Sequence, residues 1–221
     1  MSLQITIATD EGHWVEERIT GLITQWQGAG HTVSVVYCAD AIPEGDICFP
    51  LGCGFLLGPE VLARNSHNLV VHASSLPSGR GWSPLTWQIL EGRQEIPIVL
   101  FEAKEAVDSG PIYLRETMRF DGTELVDALR EAVARHTMSL CERFVATYPQ
   151  VLEGAEQQSG AESYYPRRTG EDSRLDPHKS LASQFDLLRV ADNQRYPAFF
   201  ELNGKRYVLH VHCDDSLSPA D

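Results

Sequence analysis

A strand, a helix and a second strand follow one another within the first 37 residues, and that rhythm recurs along the chain. Residues 3–8 (Leu-Gln-Ile-Thr-Ile-Ala) read as a β-strand. Trp14, Val15, Ile19, Leu22, Ile23 and Trp26 then fall on one helical stripe. Gly28 and Gly30 close that helix, and the valine-rich run Thr32 to Tyr37 is a second strand. Further strands are predicted at 46–51, 68–72 and 96–101 and within 110–120. Helices are predicted at 82–90 and from Asp121 to about Ala146. Such alternation implies an α/β layer fold, a truncated Rossmann-like, mainly parallel sheet with flanking helices. After Tyr148 the chain turns polar and irregular over 153–174. A helix is predicted from His178 to Val190, then a β-hairpin whose tight turn is Asn203-Gly204. The expected division is a main domain, residues 1–150, and a smaller C-terminal unit of helix and hairpin, 151–221.

The 221 residues are 43% hydrophobic, enough for a real core. Eighteen Lys and Arg stand against 31 Asp and Glu, a net charge of -13, which disfavours a phosphate backbone as partner. No apolar run of ~20 residues exists, so no membrane helix is expected. The N-terminus lacks the basic segment and the cleavage site of a secretory signal, so none is expected. Cys38, Cys48, Cys53, Cys141 and Cys213 are odd in number, scattered, and form no C-x-x-C. Reduced thiols and a cytoplasmic location are the natural reading.

Several other patterns carry weaker chemical signals. Gly52-Cys53-Gly54-Phe55-Leu56-Leu57-Gly58 is spaced wrongly for G-x-G-x-x-G and follows the third strand. It reads as a plain turn at a strand end, or as a loop whose exposed backbone amides hold a flat polar ring. Gly81-Trp82-Ser83-Pro84-Leu85 fails the G-x-S-x-G elbow at its last position. His210-x-His212-Cys213 lacks a second ligand pair, so no metal is expected. Asp121 and Glu124 suit the positive end of a helix dipole. The Arg167-Arg168 pair is a solvated loop or a phosphate contact. The informative residues are His72, ending one strand, and Asp108, in the loop after the next. Carboxyl ends of neighbouring parallel strands lie together and bind ligands there. His72 and Asp108 are therefore expected to meet, Asp108 tuning the imidazole.

His72-Ala-Ser74-Ser75-Leu76-Pro77 and Asp108-Ser-Gly110-Pro111 resemble the paired motifs of the N10-formyltetrahydrofolate-dependent formyltransferases. That family's pattern is roughly Asn-x-His-x-Ser-Leu-Leu-Pro, followed by a loop ending Asp-x-Gly-Pro. Arg80-Gly81, Pro84 and Trp87-x-Ile89-Leu90-x-Gly92 match the helix that follows, and Gly54-Phe55-Leu56-Leu57-x-Pro59 the folate loop. The tail, with Arg167-Arg168-Thr169-x-Glu171-Asp172, resembles the tRNA and sugar enzymes of the family. The compact form is most similar to small sugar-nucleotide N-formyltransferases of the pseudaminic-acid pathway type. The resemblance implies His72 and Asp108 as catalytic residues. It implies a pterin held against Phe55, Leu56 and Leu57 and against Lys104, Glu105, Val107 and Asp108. It implies an acceptor met by Ser74, Ser75, Arg80, Arg167 and Arg168.

One departure stands out: the family's catalytic asparagine falls at Val70. Asn68 shares the strand parity but lies about 6.6 Å further back. A slow enzyme is implied, or a replacement donor such as Ser74, Ser75 or a backbone amide. The implied activity is formyl transfer from N10-formyltetrahydrofolate to the amine of a UDP-linked 4-amino-4,6-dideoxy sugar. Charge and the short tail disfavour a tRNA acceptor. The alternatives are an impaired folate-binding module and a formyltetrahydrofolate deformylase. No nucleic-acid or membrane partner is implied, and a homodimer is left open.

Overall fold

The structure, a computed structural model, describes residues 2–214. Residues 215–221 of the C-terminal unit lie outside it. The elements run β1 (Gln4–Ala8), α1 (Glu16–Gly28), β2 (Thr32–Val36), β3 (Gly45–Pro50), α2 (Pro59–Leu62), β4 (Asn65–His72) and β5 (Arg80–Gly81). They continue α3 (Pro84–Leu90), β6 (Glu95–Glu102), β7 (Ile112–Arg119) and α4 (Val126–Thr147). The tail adds β8 (Tyr164–Tyr165), α5 (Phe185–Arg189), β9 (Ala198–Leu202) and β10 (Lys205–Leu209).

The main sheet has six strands in the order β2-β1-β3-β4-β6-β7. β1 to β4 are mutually parallel, as the alternation predicts. β6 runs antiparallel to β4, and β7 antiparallel to β6. Ile5, Ile7, Phe49, Leu69, Ile98 and Leu100 point to one face, where Ile19, Leu22 and Trp26 of α1 and Leu129, Leu140 and Phe144 of α4 cover them. The opposite face is thinner. There Val70 packs with Leu76, Val99, Phe101 and Ile112.

The chain leaves β1 toward β2 on one side and later builds β3 on the other. That reversal opens a crevice at the carboxyl ends of β1 and β3, where α/β sheets bind ligands.

The tail differs from expectation at its helix. Only Ala182–Gln184, as a 3-10 turn, and α5 form there, not a helix from His178 to Val190. The Gln184 amide donates to the carbonyls of Asp176, Lys179 and Ser180, and Ser183 Oγ to that of Ser180. These side-chain bonds compete with helical ones. The β9–β10 hairpin forms as predicted, with Asn203 at φ +50° and Gly204 at φ +74°.

Candidate active site

A cavity of about 870 Å³ opens at the carboxyl end of the sheet. Its wall is drawn from the β1–α1 loop, the loop after β3, the end of β4, the turn into α3, the β6–β7 loop and α4. His72 and Asp108 both line it. So do Phe55, Leu56, Leu57, Lys104, Glu105 and Val107.

His72 ends β4 and is buried, on the face it shares with Val70. Its Nε2 donates to the Gly79 carbonyl at 2.8 Å. That bond fixes the ring and the tautomer, so neutral His72 presents Nδ1 as a base. The expectation that parallel strands bring His72 to Asp108 is corrected here. β6 is antiparallel, so it ends beside Asn68, whose carbonyl accepts from Ala103 N at 2.7 Å. The 103–111 loop therefore folds back over the sheet to reach the cavity. Asp108 Oδ2 there accepts the Gly81 amide at 2.9 Å. Asp108 reaches His72 through the 79–81 backbone. Among the described residues no hydrogen bond joins the two side chains directly.

Two features shape that loop. Asp108 is left-handed at φ +54°, a conformation Asp tolerates better than most residues. Gly110 passes so close to β6 that a Cβ there would sit 1.8 Å from the Glu102 carbonyl oxygen. Only glycine fits, which explains the Gly of Asp-x-Gly-Pro.

The loop after β3 turns one side to the cavity. Phe55 and Leu57 lean on the Ala8–Cys48 cluster, while Leu56 is 68% exposed. Gly54 N is tied to Asp10 Oδ2 at 2.9 Å. Among the described residues the amides of Leu56 and Leu57 have no hydrogen-bond partner. Lys104, Glu105 and Val107 of the β6–β7 loop and the apolar Val70 and Phe101 line the same cavity. Unspent backbone donors and acceptors over apolar walls fit a flat heterocycle with alternating polar atoms. Cys53 also lines the cavity, but burial pushes its thiol up to about 11, so it stays protonated and is no nucleophile at neutral pH.

The other sequence candidates are dispersed. Ser74 is buried, and neither it nor Ser75 lines the cavity. Arg80 is outside the cavity wall. Its donors go to Tyr164 Oη at 3.1 Å, Gln158 Oε1 at 2.8 Å and Glu162 Oε1 at 2.9 Å. Arg168 is spent on the carbonyls of Val190 and Asp172 and on Ser173 Oγ. Arg167 lies over the Trp82 ring, 4.9 Å from its centroid, and Trp82 lines the cavity. Stacking leaves the in-plane guanidinium donors available. Asn68 points away, its amide donating to the Leu62 carbonyl at 2.9 Å. It cannot stand in for the residue at position 70.

Sequence reasoning missed His13, Trp82, Ser83 and Arg130, all on the cavity wall. His13 accepts the Val15 amide at Nδ1, leaving Nε2–H as its donor when neutral. Burial lowers its pKa from the ordinary value, and Arg195 and Arg130 add to this against Asp10. Gly52, at φ +66°, leaves room for that ring: a Cβ would sit 2.4 Å from it. Arg130 is held by Asp192 Oδ2 at 2.6 Å. No local pattern marks these residues, since three distant segments assemble them. Among the described residues no group of metal-ligating side chains occurs, and no helix is long and apolar enough to cross a membrane.

Residues 41–143 match the family model described as formyl transferase. The fold is shared with a methionyl-tRNA formyltransferase from Clostridium thermocellum, 18% identical, at a TM-score of 0.77, covering 92% of this chain and 90% of that one. HypX from Aquifex aeolicus, solved in complex with tetrahydrofolic acid, is 19% identical at a TM-score of 0.74, covering 95% of this chain and 37% of that one. A sugar N-formyltransferase from a Shewanella species is 13% identical at a TM-score of 0.71, covering 96% and 98%. Residues 41–143 thus match the formyl transferase family, and the chain has the fold that these solved structures share.

Proposed function

We propose that the protein transfers the formyl group of N10-formyltetrahydrofolate to the amine of a nucleotide-linked amino sugar, a UDP-4-amino-4,6-dideoxy sugar fitting best. The observation that carries this reading is that His72 and Asp108 share one large cavity with an open-backbone ring surface. The tetrahydrofolate-bound HypX structure of the same fold supports a folate co-substrate. The sugar N-formyltransferase of the same fold supports a sugar acceptor. Length does not separate sugar from tRNA, because this chain spans 90% of the methionyl-tRNA formyltransferase. A net charge of -13 does favour the small acceptor.

In the reaction, the amine nitrogen bonds to the formyl carbon, the carbon–N10 bond breaks, and one proton passes from amine to N10. Neutral His72, its Nε2–H committed to Gly79, takes the amine proton at Nδ1 and returns it to the leaving nitrogen. As a cation during that interval, it donates to the developing oxyanion. Asp108 fixes the Gly81 backbone and supplies negative charge near the imidazolium. Val70 offers no hydrogen bond where the family has asparagine. Losing one oxyanion donor costs on the order of 10²–10³ in rate. Arg167, stacked on Trp82 at the cavity wall, offers a cation to the acceptor's phosphates.

The test is formyl transfer to a panel of UDP- and dTDP-linked amino sugars. Release of tetrahydrofolate dependent on one sugar supports the reading. Release without acceptor overturns it in favour of a deformylase. Folate binding without release overturns it in favour of a binding module.

A further inference from the structure

We propose that Gln158 is a positioning residue whose side-chain amide sets the spacing of the two loops that present His72 and Asp108. The inference rests on the formyltransferase reading of that site.

Gln158 Nε2 donates to the Asp108 carbonyl and to the Gly110 carbonyl, each at 2.9 Å. Its Oε1 accepts from Arg80 Nη2 at 2.8 Å. A primary amide has two donor hydrogens and one acceptor oxygen. Here both donors serve the β6–β7 loop and the acceptor serves the loop after β4. Arg80 stands between Gly79, whose carbonyl holds His72, and Gly81, whose amide holds Asp108. Arg80 is itself rigid: its side chain is 9% exposed and is also bound to Tyr164 and Glu162.

The arrangement closes a ring of contacts. It runs from His72 to Gly79, along the chain to Arg80, across Gln158 to Asp108, and back through Gly81. Asp108 sits in a left-handed conformation that its surroundings must maintain. Gly81 holds its carboxylate and Gln158 holds its carbonyl. Gln158 is not on the cavity wall, so it acts through these residues and not on substrate.

A plainer role would be to fasten the tail. The tail, however, has other fastenings on the segment that runs from Gly79 into α3: Gly79 N to Ser163 Oγ at 2.8 Å, Trp82 N to the Tyr165 carbonyl at 3.1 Å, and Trp87 Nε1 to the Pro166 carbonyl at 3.0 Å. None of these three touches the Asp108 loop.

The experiment uses the full chain with Gln158→Leu, Gln158→Glu and, as a control on a tail contact alone, Tyr165→Phe. Gln158→Glu keeps the acceptor for Arg80 but sets a carboxylate against two carbonyls, and it carries the test should Gln158→Leu fail to fold. Both Gln158 variants are expected to lower kcat about 10²-fold, the scale of a misplaced catalytic group. The acceptor KM should change by less than about threefold. The pH profile of kcat should shift, and hydrogen exchange should quicken in both 79–83 and 103–110. Tyr165→Phe should do none of this. Faster exchange confined to 155–168, with kcat within about twofold of wild type, would overturn the proposal. If the unaltered protein formylates no amine, the formyltransferase reading fails by itself. Exchange in the two loops then decides for Gln158, quickening in both supporting it and no change overturning it.

Discussion

His72 and Asp108 are coupled through three consecutive residues. The Gly79 carbonyl holds His72 Nε2 at 2.8 Å, and the Gly81 amide holds Asp108 Oδ2 at 2.9 Å. A shift of either side chain is therefore felt by the other through a backbone with two glycines at positive φ. At Gly81 the Tyr165 carbonyl also comes within 2.5 Å of where a Cβ would stand, so the coupling segment cannot carry side chains at its ends.

Replacing His72 by Ala removes the proposed proton carrier. Turnover is expected to fall at least ~10²-fold, the low end for general acid–base catalysis. Asp108→Asn keeps the shape but removes the charge, and is expected to lower kcat more than it raises the folate KM. Steady-state kinetics on variants with unchanged circular dichroism check both. Full turnover in either variant would remove that residue from the chemistry.

Val70→Asn introduces a donor on the cavity wall beside His72. We expect kcat to rise about tenfold or more, part of what one oxyanion donor supplies. The amide also enters the apolar cluster of Leu76, Val99, Phe101 and Ile112, so thermal stability should fall by about 1–3 kcal/mol. A variant with lower kcat than wild type would show that another group already fills the role.

Gly110→Ala forces a Cβ to within 1.8 Å of the Glu102 carbonyl oxygen. The loop must move, taking Asp108 with it. A stability loss of about 1–3 kcal/mol or more is expected, with loss of turnover. Denaturant melts beside kinetics check this. Wild-type behaviour would contradict the tight placement of the β6–β7 loop.

Much of the fold and part of the cavity wall were legible in the sequence, and the gaps have physical causes. Strand and helix periods are local, so β1 to β4, α1 and α4 are readable from spacing. Asn203-Gly204 is readable because its turn demands positive φ. The direction of β6 is not local, since pairing with β4 and β7 decides it. Arg80 and Arg168 carry the chemistry of phosphate ligands, yet their partners at Gln158, Glu162, Asp172 and Ser173 lie where only folding brings them. Gln158 sits in a polar run that gives no periodic signal at all.

Glu116 of β7 ties the sheet to α4 and gives a pH signature. Burial alone would raise its pKa. Donation from His136 at 2.5 Å, Ser139 at 2.9 Å and Arg143 at 2.7 Å outweighs that and holds the carboxyl below its ordinary 4.5. A depressed carboxylate contributes stability that is complete above its unfolded pKa and is lost as pH falls through the folded one. The contribution should thus be full above about pH 4.5 and vanish at lower pH. Glu116→Gln should be less stable than wild type near neutrality, the two converging in acid. Parallel curves across that range would rule out the linkage.

The proposed reaction moves a formyl group from folate to a sugar amine in this cavity. The most direct measurement is mass spectrometry of UDP- and dTDP-4-amino-4,6-dideoxy sugars after incubation with the protein and N10-formyltetrahydrofolate, with methionyl-tRNA in parallel. One sugar is expected to gain a formyl group, and that product to be lost in His72→Ala. Formylation of methionyl-tRNA with none of any sugar, or product formed equally by His72→Ala, would contradict it.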